Sequence, residues 1–179
     1  MIIRDVMATQ AEVIEGTNQL IAELFKNYHQ PIFAYLYRLV NDWELAHDLT
    51  QETFLQLLRT ADQLPSIENP RAWIYRIATN LAFNTLKRRR RFAWLPWRQL
   101  DEQHMLTEDP ARQIHQWDEV AQALATLPAK YRAPLLLYSY DGLNVREVAT
   151  ALNLSEGAVK TRLHRAREMF RQAYGKEGE

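Results

Sequence analysis

The chain has 179 residues, 47% of them hydrophobic, no cysteine and a formal net charge of zero. This length allows one domain or two small ones, and the missing cysteines exclude disulfides and thiolate metal sites. No apolar run approaches membrane-spanning length, and the N-terminus lacks a basic-then-apolar signal peptide, so we expect a cytoplasmic protein without membrane insertion.

Helical periodicity runs through almost the whole sequence. The sequence has no alternating Val/Ile-rich segment bounded by turns, so it predicts no sheet. The spacing of apolar residues predicts helices at 18–40, 43–60, 70–91, 113–126, 129–140, 145–152 and 155–173. Residues 93–112 break the pattern with Pro96, Pro110 and clustered acids, which is typical of a linker. The sequence therefore predicts an all-α protein with two small helical domains, 1–92 and 113–179, joined by that linker.

The helix predicted at 43–60 has an unusual outer face. Its apolar and small side chains turn inward, whereas the outer face carries Asp48, Gln51, Glu52, Leu55 and Arg59. Asp48 and Glu52 are like charges four residues apart, which is mildly destabilising in an isolated helix. A leucine exposed among such charges indicates a docking surface for another protein, although an ordinary solvated face fits equally well.

The helix predicted at 70–91 starts well, because Asn69 suits the cap and Pro70 the first turn. One of its faces is apolar. The other face carries aromatic, amide and basic side chains, namely Trp73, Arg76, Asn80, Phe83, Asn84 and Lys87. Arg88 to Arg91 follow this face at the end of the helix. Rings stack on unpaired bases, amides read base edges and cations hold phosphates, so this face favours single-stranded nucleic acid. Alternatively, the two rings belong to the core and the arginines form a solvated helix end that suits the helix dipole.

Residues 145–171 are typical of a helix-turn-helix. After a short amphipathic helix, Asn153 tolerates the left-handed backbone of a tight turn and Ser155 caps the second helix. In that second helix one side is apolar, with Val159, Leu163, Ala166 and Phe170. The opposite side is small and basic, with Gly157, Lys160, Thr161, His164, Arg165 and Arg171. Such a helix fits a DNA groove, although a plain helical hairpin with a solvated basic face has the same pattern.

The zero net charge conceals segregated blocks. Residues 1–70 carry 4 basic and 10 acidic side chains, whereas residues 71–100 carry 8 basic ones and no acidic one. Residues 101–119 carry 1 basic and 6 acidic side chains. Residues 120–179 carry 9 basic and 6 acidic side chains. Two basic blocks separated by an acidic one predict two surfaces that bind polyanions.

Four strings, in their order and spacing, resemble the extracytoplasmic-function (ECF) group of sigma factors in the sigma-seventy superfamily. They are ELAHDLTQETF at 44–54, PRAWIYRIATN at 70–80, LPAKYR at 127–132 and the helix-turn-helix residues 147–167. The likeness covers about residues 20–175. It implies a two-domain, all-helical factor that binds core RNA polymerase and directs it to promoters. Residues 1–92 then correspond to sigma region 2 and residues 113–179 to sigma region 4.

The resemblance also implies roles for single residues in the first domain. The helix matching 43–60 docks on the clamp helices of the polymerase, where Asp48, Gln51 and Glu52 match the docking motif and Leu55 lies beside them. The helix matching 70–91, with the loop at 61–69, captures the melted minus-ten element. Asn80 matches a base-contacting position, and the other residues on its face are Trp73, Arg76, Phe83, Asn84 and Lys87.

For the second domain, the resemblance implies that the helix-turn-helix binds the minus-thirty-five element as duplex DNA. Lys160, Thr161, His164 and Arg165 match its reading positions, and Gly157 shares their side of the helix. Arg162 and Arg167 flank them as phosphate contacts. His164 occupies a variable position and Asn153 stands where the turn usually has glycine, so a promoter sequence does not carry over.

Two expectations concern partners and the linker. The resemblance makes an anti-sigma factor, often membrane-tethered in this family, the expected inhibitor. The linker holds an unusual FAWLPW cluster at 92–97. It either threads toward the polymerase active centre or packs against the chain itself or a partner, and packing is slightly favoured because three exposed aromatic rings are costly.

Two other classes of function compete with this one. A helix-turn-helix regulator that binds duplex DNA without polymerase would leave the acidic pair and the aromatic–basic helix without a role. A hydrolase built on His47, Asp48 and Glu52, with His104 or His115, is disfavoured, because His47 and Glu52 do not share a helix face. His104 and His115 lie in or next to the linker. The sequence has no Gly-rich phosphate loop and no nucleophile motif. We therefore expect no catalytic residue, no metal and no cofactor.

Overall fold

The computed structural model describes residues 2–92 and 119–175. These two ranges contain seven α-helices, α1 Ile2–Val40, α2 Trp43–Arg59, α3 Pro70–Phe92, α4 Glu119–Thr126, α5 Ala129–Ser139, α6 Val145–Leu152 and α7 Glu156–Tyr174. A short 3-10 helix, Ala61–Ser66, connects α2 to α3. Neither range contains a strand, and the expected all-α fold is confirmed.

Part of the sequence prediction lies outside the described residues. This applies to the linker at 93–112, to positions 93–97 of the aromatic cluster and to residues 113–118 of the helix expected at 113–126. Among the described helices, the greatest difference from expectation is the start of α1, which begins at Ile2 rather than at 18. Gly16 is the one glycine before residue 18. A glycine inside a helix costs only about 1 kcal/mol of helix stability relative to alanine, so Gly16 does not stop α1.

The turn between α1 and α2 is built by two polar residues. Asn41 has a left-handed backbone with φ of 54°, which asparagine tolerates better than most residues. Asp42 then caps α2, because its Oδ1 accepts a hydrogen bond from the N–H of Leu45 at 2.8 Å. The chain reverses there, and α1 and α2 pack along each other as a helical hairpin.

The first half of the molecule closes when α3 packs against this hairpin. Its core includes Ile32, Leu36, Leu57 and Ile74, all fully buried. The core also holds a polar pair, since the hydroxyl oxygens of Tyr35 and Thr79 lie 2.7 Å apart. Thr79 in turn donates to the backbone carbonyl one turn earlier in α3, so the buried hydroxyls are satisfied.

The second half is formed by α4 to α7, which bury apolar side chains between them, with Leu136, Val148, Val159 and Ala166 fully buried. The two halves touch. α3 packs along α6, and α1 packs along α5, so that the buried apolar residues of both halves form one continuous cluster. In the part of the chain that the structure describes, no helix combines the length and the apolar character that crossing a membrane requires.

Candidate functional site

The helix-turn-helix geometry expected at 145–171 is present. α6 starts with a capping box in which Asn144 Oδ1 accepts from the N–H of Glu147 at 3.0 Å, while Glu147 Oε2 accepts from the N–H of Asn144 at 2.9 Å. The second of these hydrogen bonds lowers the pKa of Glu147. α6 ends at Leu152, and the next residue, Asn153, has a left-handed backbone with φ of 52° and ψ of 51°, as expected.

The left-handed turn after α6 satisfies the backbone and sets the direction of α7. The N–H of Leu154 donates to the carbonyl of Ala149 at 2.9 Å, which satisfies a carbonyl at the end of α6. Ser155 Oγ then accepts from the N–H of Ala158 at 3.2 Å and caps α7. Two short polar residues therefore fix the angle between the helices.

α7 is divided into two faces as the spacing predicted. Val159, Leu163 and Ala166 are buried, and Phe170 is half-buried. The residues expected to read duplex DNA lie on the other side and are exposed, namely Gly157, Lys160, Thr161, His164 and Arg165, and so is Arg167. Arg162 is half-buried at the edge of this face. We call the exposed set the α7 face.

Three side chains of the α7 face have partners that sequence reasoning missed. Arg165 Nη1 donates to the hydroxyl of Tyr131 in α5 at 3.4 Å, and this hydrogen bond lowers the pKa of Tyr131. His164 Nε2 lies 3.3 Å from Glu168 Oε1, one turn further along the helix. The guanidinium of Arg167 lies 5.4 Å from the ring centre of Tyr138. The spacing of four residues could have revealed only the His164–Glu168 pair.

On α3, the residues expected to contact melted DNA have different exposures. Asn80, Asn84 and Lys87 are exposed, and Arg76 is half-buried beside them. These four residues form what we call the α3 face. Trp73 and Phe83 are half-buried and pack against the core, so each ring combines a core contact with a partly accessible surface.

Both ends of α3 are fixed by polar contacts. Asn69 Oδ1 accepts from the N–H of Ala72 at 2.9 Å, which is the cap expected from the sequence. At the other end Arg88 to Arg91 are exposed. Arg89 Nη1 lies 2.7 Å from Asp42 Oδ2, so one charge of this basic run is already paired.

On α2, Asp48, Gln51, Leu55 and Arg59 are exposed on one side of the helix, and Glu52 is half-buried among them. We call these five residues the α2 face. Glu52 Oε1 lies 2.9 Å from Arg59 Nη1. The repulsion expected between Asp48 and Glu52 is therefore partly offset by a cation seven residues on. Gln51 Nε2 lies 3.3 Å from His47 Nδ1.

The apolar part of the α2 side is larger than the sequence indicated. Leu55 and Leu58 are 46% and 53% exposed, and Phe25 of α1 is 50% exposed. Phe25 packs edge-on against Phe54, with ring centres 4.9 Å apart. A docking surface of apolar side chains rimmed by charges is typical of protein–protein contacts. Leu58 lies three residues after Leu55, and this helical spacing could have predicted that both leucines belong to the exposed surface. No local pattern in the sequence links Phe25 to α2.

Comparison with known proteins gives a family match in each half of the chain. Residues 24–92 match the family model of Sigma-70 region 2, and residues 117–170 match that of Sigma-70 region 4. The ECF RNA polymerase sigma factor SigW of Bacillus subtilis is 28% identical over 90% of this chain and 92% of its own length. The ECF RNA polymerase sigma factor SigL of Mycobacterium tuberculosis is 30% identical over 82% of this chain and 84% of its own length.

A solved structure supports the fold. The sigma factor RpoE of Bartonella quintana, crystallised in complex with the anti-sigma factor NepR, superposes with a TM-score of 0.64 at 23% identity. The match covers 85% of this chain and 94% of that one. The region 2 match over the first half also favours a polymerase-bound factor over a regulator that binds duplex DNA alone. The chain therefore belongs to the ECF group of sigma factors, which are transcription initiation factors rather than enzymes and which bind core RNA polymerase and direct promoter recognition.

Proposed function

We propose that this sigma factor divides its work among three exposed helix faces. The α2 face, with Asp48, Gln51, Glu52 and Leu55, docks on core RNA polymerase. The α3 face, with Trp73 and Phe83 beside it, takes the melted minus-ten element. The α7 face takes the duplex minus-thirty-five element. The observation that carries this assignment is the sharp division of α7, whose buried side holds the fold while its basic side is exposed.

For polymerase docking, the support is a mixed apolar and acidic surface. Leu55 and Leu58 are about half exposed. Asp48, two turns before Leu55 on the same helix, has no ion-pair partner among the described residues. Burying the two leucines and Phe25 against a partner would contribute about 25 cal/mol for each Å² removed from water. The carboxylates would then select a partner surface of opposite charge.

For the minus-ten element, the support is the row of amides and cations along α3. Asn80 and Asn84 are exposed one turn apart, and each amide can donate to and accept from a base edge. Lys87 and the arginines after it provide a path for the phosphates. Trp73 and Phe83 offer ring surface for stacking only on the part that the core leaves accessible.

For the minus-thirty-five element, the support is an exposed recognition helix capped by Ser155. Lys160 and Arg165 project from the α7 face, and basic side chains commonly contact guanine edges in the major groove. Arg162, at the edge, and Arg167 are placed for phosphate contacts. We propose domain limits of 1–92 and 113–179 with a linker at 93–112, and a first cut by trace protease within the linker would support them.

We further propose that the protein works in the cytoplasm and that an anti-sigma factor holds it inactive. The location follows from the partner, since core polymerase and promoter DNA are found there. The anti-sigma partner is proposed because the related RpoE of Bartonella quintana was crystallised with one and because of the family resemblance.

Run-off transcription with purified core polymerase on randomised promoter DNA tests the function. We expect transcripts from a subset of templates that share two short elements, and none from core polymerase alone. A gel shift with and without core polymerase distinguishes this function from that of a regulator that binds duplex DNA without polymerase. Sequence-selective binding to duplex DNA without polymerase, combined with no run-off product, would show that the protein is a polymerase-independent regulator.

A further inference from the structure

Arg165 of the α7 face has a hydrogen-bond partner outside its own helix. Its Nη1 donates to the hydroxyl oxygen of Tyr131 in α5 at 3.4 Å. The two residues are 34 positions apart in the sequence, and they meet because α5 packs along α7. Arg165 is exposed and directly precedes the buried Ala166, so its side chain leaves α7 on the flank of the exposed side and borders α5.

Tyr131 is held firmly at the start of α5. It lies in the first turn of that helix, and its half-buried ring packs against the core. Its N–H donates to the carbonyl of Pro128 at 2.8 Å. The next residue, Arg132, is buried, and its Nη2 donates to the carbonyl of Leu127 at 2.8 Å. The hydroxyl of Tyr131 therefore has a defined position from which it can restrain a mobile side chain.

The hydroxyl of Tyr131 lies among positive charges. The Nζ of Lys130 is 4.9 Å from the ring centre of Tyr131, and the hydrogen bond from Arg165 lowers the pKa of the hydroxyl. Both Lys130 and Arg165 are exposed. Cations at the edge of the α7 face suit the phosphates of duplex DNA, so Tyr131 lies at the border of the surface that we assign to DNA.

A tyrosine hydroxyl orients an arginine without neutralising its charge. Arg89 of α3, for comparison, contacts the carboxylate of Asp42, and that pair carries no net charge. Among the described residues no carboxylate forms an ion pair with Arg165, and its partner Tyr131 is neutral. An arginine that is oriented and still fully charged is suited to a DNA groove, where both its geometry and its charge contribute.

The contact leaves donors of the guanidinium available for a base. Arginine has five N–H donors, and the hydrogen bond to Tyr131 does not use those on Nε and Nη2. Two parallel donors match the two acceptors of a guanine edge in the major groove. At 3.4 Å the hydrogen bond is longer than usual, so it orients Arg165 without locking it. A side chain that is already oriented loses less free energy when DNA immobilises it.

We propose that Tyr131 is a positioning residue for base recognition, whose hydroxyl orients the guanidinium of Arg165 toward the minus-thirty-five element. Tyr131 acts through Arg165 and does not itself read a base. The specificity-determining surface then extends from α7 to the start of α5. The proposal rests on the assignment of the α7 face to this element.

The first experiment tests the contact in the free full-length protein, without DNA. Isotopically labelled tyrosine gives an NMR signal for each ring, and the signal that is missing in Tyr131→Phe identifies Tyr131. Since the hydrogen bond from Arg165 lowers the pKa of Tyr131, Arg165→Ala should raise it. Arg167→Ala removes another exposed cation of α7, which lies against Tyr138, and should leave the pKa of Tyr131 unchanged. Equal titration curves in the parent protein and in Arg165→Ala would overturn the contact.

The second experiment measures base preference. Holoenzyme assembled with each variant is bound to DNA in which the minus-thirty-five element is randomised, and the bound sequences are counted. Tyr131→Phe should reduce the preference at the base pairs that Arg165→Ala affects, by about two- to tenfold, the range for immobilising one long side chain. Preferences at the other base pairs should stay as in the parent. A reduction spread evenly over the element, which a merely structural role would cause, would overturn the proposal.

Tyr138→Phe is the matched control, because it removes the hydroxyl of another tyrosine of α5. Tyr138 contacts Arg167 through its ring, which phenylalanine keeps, so every base preference should stay unchanged. The double variant Tyr131→Phe/Arg165→Ala should show the same preferences as Arg165→Ala alone, since the hydroxyl then has no guanidinium to orient. Additive losses would mean that Tyr131 contacts DNA independently of Arg165, and they would overturn the positioning role.

The outcomes distinguish this role from the proposed function of the α7 face. If Arg165→Ala relaxes base preference and Tyr131→Phe does not, the α7 face reads the element and Tyr131 has no positioning role. If Arg165→Ala changes no base preference, the assignment of the α7 face and the positioning role both fail, although the titration still reports whether the two side chains are in contact.

Discussion

Glu52 Oε1 lies 2.9 Å from Arg59 Nη1 across two turns of α2, so the two acidic residues of the α2 face are not equivalent. Glu52 has a cationic partner, whereas Asp48 is exposed without one among the described residues. We expect Asp48→Lys to weaken binding to core polymerase by at least tenfold, and Glu52→Gln to weaken it less. Binding to labelled core polymerase measures both effects, and Glu119→Lys, the same charge reversal at an exposed site of α4, is the control.

Circular dichroism should show that Asp48→Lys leaves the fold intact, because the residue is exposed on α2. If the double variant Asp48→Lys/Glu52→Lys still co-purifies fully with core polymerase, the α2 face is not part of the docking surface.

The α3 face predicts two kinds of loss. Asn80→Ala should weaken holoenzyme binding to melted minus-ten DNA for some base sequences more than for others, because an amide reads base edges. Lys87→Ala should weaken it for all sequences about equally and reduce the dependence on salt. Arg89→Ala is a suitable comparison, since its charge is already paired with Asp42. Fluorescence anisotropy over a set of oligonucleotides gives the answer, and the same loss on every oligonucleotide for both Asn80 and Lys87 would show that Asn80 does not read bases.

The α7 face predicts a separation of specificity from affinity. Arg165→Ala should relax base choice at one or two base pairs of the minus-thirty-five element, by about 1–3 kcal/mol. Arg162→Ala should lower affinity with little change in preference, because this residue lies at the edge of the face. Selecting bound sequences from a randomised upstream element with each variant compares the base preferences of Arg165→Ala and Arg162→Ala. A change in preference for Arg162→Ala alone would mean that the helix lies rotated in the groove.

The buried side of α7 predicts a stability effect. Leu163 is 4% exposed, and replacing a buried leucine with alanine costs about 2–5 kcal/mol through lost burial and the remaining cavity. We expect Leu163→Ala to lower the free energy of unfolding by that amount, measured in urea. His164→Ala, at the adjacent exposed position, should change it by less than about 0.5 kcal/mol. Similar values for the two variants would mean that α7 is not anchored through this side.

Stability should depend on pH through Asp141, whose Oδ1 accepts a hydrogen bond from the hydroxyl of Tyr75. Burial raises the pKa of the Asp141 carboxyl from an ordinary value of 3.8 to about 6 in the folded protein, so the folded state binds a proton more tightly than the unfolded one. The contribution of this group to the free energy of unfolding therefore falls as the pH rises from about 4 through about 6, by about 1.4 kcal/mol between pH 5 and pH 8. Asp141→Asn keeps the acceptor for Tyr75 but cannot ionise, so urea unfolding of this variant should lose that part of the pH dependence. The same slope in both proteins would contradict the prediction.

Local sequence patterns predicted the helices and the helix-turn-helix because both depend on neighbours a few residues apart. Apolar spacing located α2, α3 and α5 to α7, and Asn153 with Ser155 marked the turn. The exposed residues of α7 followed from the same periodicity. The partner of Arg59 was also within reach, since residues seven apart share a helix face.

Contacts between distant parts of the chain could not be predicted in this way. Nothing near Arg165 in the sequence indicates the hydroxyl of Tyr131, and nothing near Tyr75 indicates Asp141, 66 residues later. These pairs depend on how whole helices pack. The charge blocks suggested two polyanion-binding surfaces but contained no information on the distance between them.

Arg132 of α5 connects two helix ends at once. Its Nη1 donates to the carbonyl of Leu39 near the end of α1, and its Nε and Nη2 donate to the carbonyl of Leu127, just after α4. Carbonyls at helix ends have no partner within their own helix, and here one buried guanidinium satisfies both. Lysine has a single ammonium in place of the planar fork of arginine, so it cannot replace Arg132 at both ends, and one conservative substitution would disturb two helices that are far apart in the sequence.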